Sequence, residues 1–227
     1  CVVAHPDDME FGAAAAVARW TGQGKWVGYT MVTSGEAGID GMSPEEAGPL
    51  REREEYASAR IVGVDQVEFL GFPDGVLEYG LPLRRALAGA IRRHRPDVVI
   101  TINFRESFEG GIPNQADHIA VGRALVDAIR DAGNRWVFRD LLQEDLLPWN
   151  GVRFLLSGGS SPATHGVDVS EYFDRGIESL KAHAAYLEGL GDGMGDPSEF
   201  LAQFAEQAGE RLGCRYGVAF ERIPFQF

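Results

Sequence analysis

Three side chains able to bind a metal fall within four residues near the start of the chain, in His5-Pro6-Asp7-Asp8-Met9-Glu10. An imidazole and a carboxylate both bind zinc, at about 2.0–2.2 Å. Two adjacent carboxylates in so short a turn cannot easily both ligate one ion, so one of Asp7 and Asp8 is left to act as a base. Pro6 fixes one φ angle and stiffens the turn. The plain alternative is that one aspartate caps the helix that follows. A cap needs one Asp, however, and it does not need His5.

A second group reads Pro113-Asn114-Gln115-Ala116-Asp117-His118 and runs into a helical pattern. His118 at the start of that helix can reach the same rim as His5. Two His and one Asp leave an open position on zinc, which is the pattern of a catalytic site and not of a structural one. Asp117 suits a partner for an imidazole N–H, or a helix cap.

The elements that must position these groups follow from hydrophobic patterning. Strands are expected at Cys1–Ala4, Trp26–Val32, Gln66–Leu70, Asp97–Ile102 and Val152–Leu155. Helices are expected at Glu10–Gln23, Pro44–Val62, Pro82–His94, Asp117–Asp131 and Val169–Leu190. Strands spaced by helices imply βαβ units and an α/β, doubly wound, mostly parallel sheet. With no repeat and no linker in view, the whole of 1–227 reads as a single domain. Sites in such sheets form beyond the carboxyl ends of the strands. Those loops are Ala4–Glu10, Thr33–Gly48, Gly71–Gly80, Asn103–His118 and Leu156–Asp168. The Gly/Pro breaks of Gly191–Pro197 mark a mobile surface loop.

Composition narrows the partners. The 227 residues are 44% apolar and carry a net charge of −13, a surface that repels phosphate backbones, so nucleic acid is excluded. No apolar run approaches the roughly 18–20 residues of a membrane helix. Two distant cysteines, Cys1 and Cys214, form no disulfide framework and favour the cytoplasm. No signal peptide is visible, although the chain opens inside a strand pattern, so that upstream residues and any targeting signal on them are expected to lie outside this sequence. A homo-oligomer is left open.

Taken together, Ala4-His5-Pro6-Asp7-Asp8-Met9-Glu10 and the Ala-rich helix after it resemble the LmbE-like (PIG-L) family of zinc-dependent N-acetylglucosamine deacetylases. Gly35-Glu36-Ala37-Gly38, Arg51 with Glu54, Phe69-Leu70-Gly71-Phe72-Pro73-Asp74-Gly75 and Asp117-His118-Ile119-Ala120-Val121-Gly122-Arg123 match its pattern in order. His183, in Ser179–Tyr186, resembles a weaker family feature. The resemblance implies that His5, Asp8 and His118 are the zinc ligands, Asp7 the general base, Arg51 a contact for a substrate hydroxyl or phosphate, and Asp74 a sugar contact. The plain alternatives are an exposed charge at Arg51 paired with Glu54 or Glu55, and a turn residue at Asp74. Glu36 either shapes the site or belongs to a plain loop. In one place the chain departs from the family. Where the family often has a His, three residues before the last ligand, this chain has Gln115, which can donate a hydrogen bond but supplies neither a proton nor a charge.

The expected function is zinc-dependent hydrolysis of an N-acyl group, acetyl above all, on a small amino-sugar-like substrate. The rivals are an amidase of the same family that cleaves a larger acyl group or a thiol conjugate, and a non-catalytic binding protein. A dinucleotide-dependent dehydrogenase lacks its glycine fingerprint after the first strand. The donor set does not separate zinc from iron or cobalt.

Overall fold

The computed structural model describes residues 1–160, 163–191 and 196–226. Its strands are β1 (Val2–Val3), β2 (Gly28–Met31), β3 (Gln66–Phe69), β4 (Val98–Ile102), β5 (Phe154–Gly158), β6 (His165–Asp168) and β7 (Gly217–Pro224). Its α-helices are α1 (Asp8–Gly12), α2 (Ala14–Gly22), α3 (Pro44–Ile61), α4 (Leu81–His94), α5 (Ala116–Gly133), α6 (Phe173–Lys181), α7 (Ala184–Gly189) and α8 (Pro197–Leu212).

Neighbouring strand residues face opposite sides of a sheet, and here both sides are covered. Val2, Val99 and Leu155 enter one core with Leu83 and Leu87 of α4 and Val121 and Leu125 of α5. Val3, Ile100 and Leu156 enter the other with Ala16 and Val17 of α2 and Ala59 of α3. Coverage on both faces is why these strands read as unbroken apolar runs.

β2 pairs in parallel with β1 and with β3, and β4 pairs in parallel with β5. β1 lies beside β4, with no ladder between them among the described residues. The carboxyl ends of β1, β2, β3 and β4 therefore open toward one rim, where the first loop, the Thr33–Gly48 loop, the Gly71–Gly80 loop and the start of α5 meet.

The α/β outline with a mostly parallel sheet holds, and the structure departs from it in its details. The parallel order gives way at one edge, where β7 runs antiparallel to both β5 and β6. β6 lies inside the segment expected as the Leu156–Asp168 loop, and its short sequence, His-Gly-Val-Asp, carries no apolar run to announce it. The expected helix Glu10–Gln23 is two helices hinged at Ala13 (φ −157°, ψ 5°). There the chain crosses β4 so closely that a Cβ on Gly12 would lie 2.6 Å from Ile102. The expected helix Val169–Leu190 is likewise an elbow. Asp168 accepts the Ser170 N–H and hydroxyl in a turn before α6, and His183 (φ −83°, ψ 51°) breaks the chain before α7. The expectation for Gly191–Pro197 falls on residues 192–195, which lie outside the described residues, and α8 beginning at Pro197 had no counterpart in the sequence outline.

Candidate active site

The first loop leaves β1 and turns at Asp7, a non-glycine residue held at φ 94°. That conformation costs on the order of 1–3 kcal/mol and persists only where its surroundings over-determine it. Asp7 stands at the N-cap of α1, yet its side chain makes no capping bond, which removes the plain alternative for this residue. Its Oδ1 instead accepts from Arg51 Nη2 at 2.9 Å.

Arg51 is 2% exposed. Its Nη2 also donates to Pro6 O at 2.5 Å, and its Nη1 to Gly35 O at 2.8 Å. The sequence expectation was a substrate contact, or an exposed charge paired with Glu54 or Glu55; the structure gives the guanidinium an internal load, holding the first loop against the second. Two glycines make room for it. A Cβ on Gly35 or on Gly38 would lie 2.3 Å from Arg51 Nη1. The Gly35-Glu36-Ala37-Gly38 stretch is thus a fitted cradle.

His5, Asp8 and His118 are buried and converge. Asp8 Oδ1 lies 3.1 Å from His118 Nε2, and Asp8 Oδ2 lies 3.6 Å from His5 Nδ1. The two imidazole centroids are 5.2 Å apart. Neighbouring bonds fix which ring nitrogen is free. Asn114 Nδ2 donates to Asn103 O and Arg105 O, so Asn114 Oδ1 is an acceptor. It lies 3.0 Å from His118 Nδ1, which must therefore carry the proton in the neutral ring. His118 Nε2 keeps its lone pair toward Asp8 Oδ1 and, although buried, makes no hydrogen bond of good geometry among the described residues. His5 Nε2 lies 2.9 Å from Asp74 Oδ1 and 3.4 Å from Asp117 Oδ2, which leaves its Nδ1 toward Asp8. Carboxylates and carbonyls that orient imidazoles in this way are the ordinary surroundings of a metal site. Asn114 was missed by sequence reasoning; its position four residues before His118, on the loop leading into a helix, was the available signal.

Asp74 was expected as a sugar contact. Here its Oδ1 faces His5 and its Oδ2 accepts the Ala37 N–H at 2.8 Å. Glu36 Oε1 returns a bond from the Asp74 N–H at 2.9 Å, so the second and third loops are stitched reciprocally. Asp117 accepts the Gly75 and Leu77 N–H groups at 2.8 and 3.0 Å and so ties the third loop to α5. Gln115 is the exposed N-cap residue of α5 and makes no side-chain capping bond.

The electrostatics are lopsided. Four carboxylates, Asp7, Asp8, Asp74 and Asp117, surround two imidazoles and one guanidinium. Burial works against a charge on His5, but Asp117, Asp74 and Asp8 outweigh it and push its pKa up to about 12. Burial raises the Asp7 carboxyl to about 6; Arg51 opposes the rise and Asp8 adds to it. A divalent cation at His5, Asp8 and His118 fits this set. It would meet the His118 Nε2 lone pair and the Asp8 carboxylate, would displace the proton that the carboxylates hold on His5 Nδ1, and would offset the surplus negative charge.

A second titratable cluster lies behind the first loop, where Glu10, Glu55 and His183 are buried together. His183 Nε2 stands 3.7 Å from Glu10 Oε2 and 3.6 Å from Glu55 Oε2. Burial, with the Glu10 charge beside it, pushes the Glu55 carboxyl well above its ordinary range. Burial also works against charges on Glu10 and His183, but each holds the other in its charged form.

The profile described as PIG-L: GlcNAc-PI de-N-acetylase matches residues 1–129. A diacetylchitobiose deacetylase of Thermococcus kodakarensis is 28% identical over 185 residues, covering 81% of this chain and 67% of that protein. A probable N-acetyl-alpha-D-glucosaminyl L-malate deacetylase 2 of Bacillus anthracis is 27% identical over 194 residues, covering 81% of this chain and 79% of that one. The solved structure of N,N'-diacetylchitobiose deacetylase from Pyrococcus horikoshii superposes with a TM-score of 0.90 at 25% identity, covering 99% of this chain and 83% of that one.

Proposed function

Since this chain belongs to the PIG-L family, we propose that it is a zinc-dependent deacetylase that hydrolyses the N-acetyl group of a small amino-sugar conjugate. The observation that carries the metal reading is the convergence of His5 Nδ1, Asp8 and His118 Nε2, with Asp74 and Asn114 fixing which nitrogen of each ring faces Asp8. A divalent ion held by these residues supplies Lewis acidity to the amide carbonyl and acidifies water.

The chain's own residues do the rest. Asp7 directly precedes the ligand Asp8 and is fixed through Oδ1 by Arg51, which leaves Oδ2 to accept a proton from the attacking water. As the new C–O bond forms, Asp7 holds that proton; as the C–N bond breaks, it delivers it to the departing nitrogen. Acetate and a free amine leave. Gln115, exposed at the N-cap of α5, can donate one neutral hydrogen bond to the oxygen of the tetrahedral intermediate. Arg51 and Asp74 act here by holding Asp7 and His5, and not by gripping the sugar.

No helix among the described residues is long and apolar enough to cross a membrane. Cys1 and Cys214 are free thiols, which suits the cytoplasmic setting we assign. The test is a fluorescamine screen for amine release across N-acetylated sugars, disaccharides and sugar–inositols with zinc present. Release from at least one N-acetylglucosamine compound, abolished by a chelator, supports the reading; a uniformly negative screen with metal-loaded protein contradicts it.

A further inference from the structure

Four polar side chains of α3, Arg51, Glu54, Glu55 and Ser58, follow the i, i+3, i+4, i+7 spacing of a single helix face. They meet successive positions of the α6–α7 elbow. Ser58 Oγ lies 2.7 Å from Ser179 Oγ, and Glu55 Oε2 lies 3.6 Å from His183 Nε2. Glu54 Oε1 accepts the Ala185 N–H at 2.6 Å, and the Arg51 guanidinium lies 4.0 Å from the centre of the Tyr186 ring. The same face grips the first loop. Arg51 holds Asp7 and Pro6, and Ser58 donates to Glu10 Oε1 at 2.6 Å. His183 closes the circuit from the elbow to Glu10.

Glu55, Ser58, Ser179 and His183 are fully buried. A buried polar seam is a weaker source of stability than aliphatic packing of the same volume, so stability alone does not account for it. What it does hold is the strained turn at Asp7. We propose that the α6–α7 elbow is a brace for Asp7, with His183 and Tyr186 as positioning residues that press Arg51 and Glu55 of α3 against the first loop. Both residues lie beyond the stretch matched by the family profile. The brace rests on the reading of Asp7 as the base.

The test is a double-mutant cycle on the full chain. Tyr186→Ala, Tyr186→Phe and His183→Gln are each made alone and in an Asp7→Asn background, and kcat, KM and metal content are measured. A misplacement of about 1 Å can cost about 10²-fold in rate. Tyr186→Ala and His183→Gln should therefore lower kcat by about 10–100-fold, with KM within about twofold and one metal per chain. Tyr186→Phe keeps the ring over Arg51 but removes the hydroxyl beside Asp7, and its kcat should fall between those of Tyr186→Ala and the parent. In the Asp7→Asn background neither Tyr186→Ala nor His183→Gln should cost anything further. Losses that multiply with Asp7→Asn overturn the brace. So do unchanged kcat in both variants, a Tyr186→Phe loss equal to that of Tyr186→Ala, or a second metal per chain that disappears in His183→Gln. If His183→Gln does not fold, the Tyr186 cycle decides alone. An Asp7→Asn variant with full turnover removes the base reading and the brace together, whereas a disabled Asp7→Asn with independent elbow losses removes only the brace.

Discussion

Arg51 Nη2 lies 2.9 Å from Asp7 Oδ1, with Arg51 2% and Asp7 5% exposed. The pair joins the middle of α3 to the turn that carries Asp7, the base of the proposed mechanism. Removing one member of a buried ion pair leaves an uncompensated charge and costs about 3–5 kcal/mol. Arg51→Met should lower stability by about that amount, seen as a shifted denaturation midpoint. It should also lower turnover by at least about tenfold while metal content stays near one per chain. A variant that loses only substrate affinity, with kcat intact, would return Arg51 to the substrate-contact role.

The cradle around Arg51 makes a sharper prediction. Gly38 has no positive φ, and alanine there meets chiefly the guanidinium, 2.3 Å from Arg51 Nη1, with Gly35 O next at 3.2 Å. Gly38→Ala should displace Arg51 and reduce kcat without changing metal content. Unaltered kinetics would show that the loop yields freely and that the cradle has no bearing on rate.

Asn114 should matter through His118. Asn114→Ala removes the acceptor at 3.0 Å that fixes the ring, and losing such a partner typically costs 10–100-fold in metal affinity or activity. A zinc-binding titration checks it; affinity equal to the parent's would show that His118 needs no such partner.

Much of this site was legible in the residues. His5, Asp7, Asp8 and His118 stood out because metal-type side chains clustered at the ends of apolar strands, and the strands were visible because both faces of the sheet are buried. The sequence carries no mark of what Arg51 and Asp74 face, since a lone Arg on a helix and an Asp before a glycine look the same whether they meet a sugar or a neighbouring loop. β6 and β7 escaped because their pairing depends on partners distant in the chain, and the break at His183 escaped because Val169–Leu190 has good helical periodicity. The stripe of Arg51, Glu54, Glu55 and Ser58 was in plain view, but a polar face normally points to solvent, and only the packing shows this one buried.

Gln115 sets a limit on one contribution. A neutral hydrogen bond has a net value of about 0.5–1.5 kcal/mol, so Gln115→Ala should reduce kcat/KM by only about two- to twelvefold and leave any alkaline limb of the rate profile unchanged. A loss of several orders of magnitude would mean that Gln115 grips the substrate.

The most direct measurement is a metal titration of turnover. Protein stripped by a chelator is titrated with zinc while amine release from N,N'-diacetylchitobiose, or from another N-acetylglucosamine compound found in the screen, is followed alongside His118→Ala and Asp7→Asn. Turnover should rise linearly and level off at one equivalent of zinc. His118→Ala should neither bind the metal nor turn over, and Asp7→Asn should bind one equivalent while turnover falls about 10²–10⁴-fold. Full turnover in the metal-free protein, or full zinc occupancy in His118→Ala, would contradict the account at its centre.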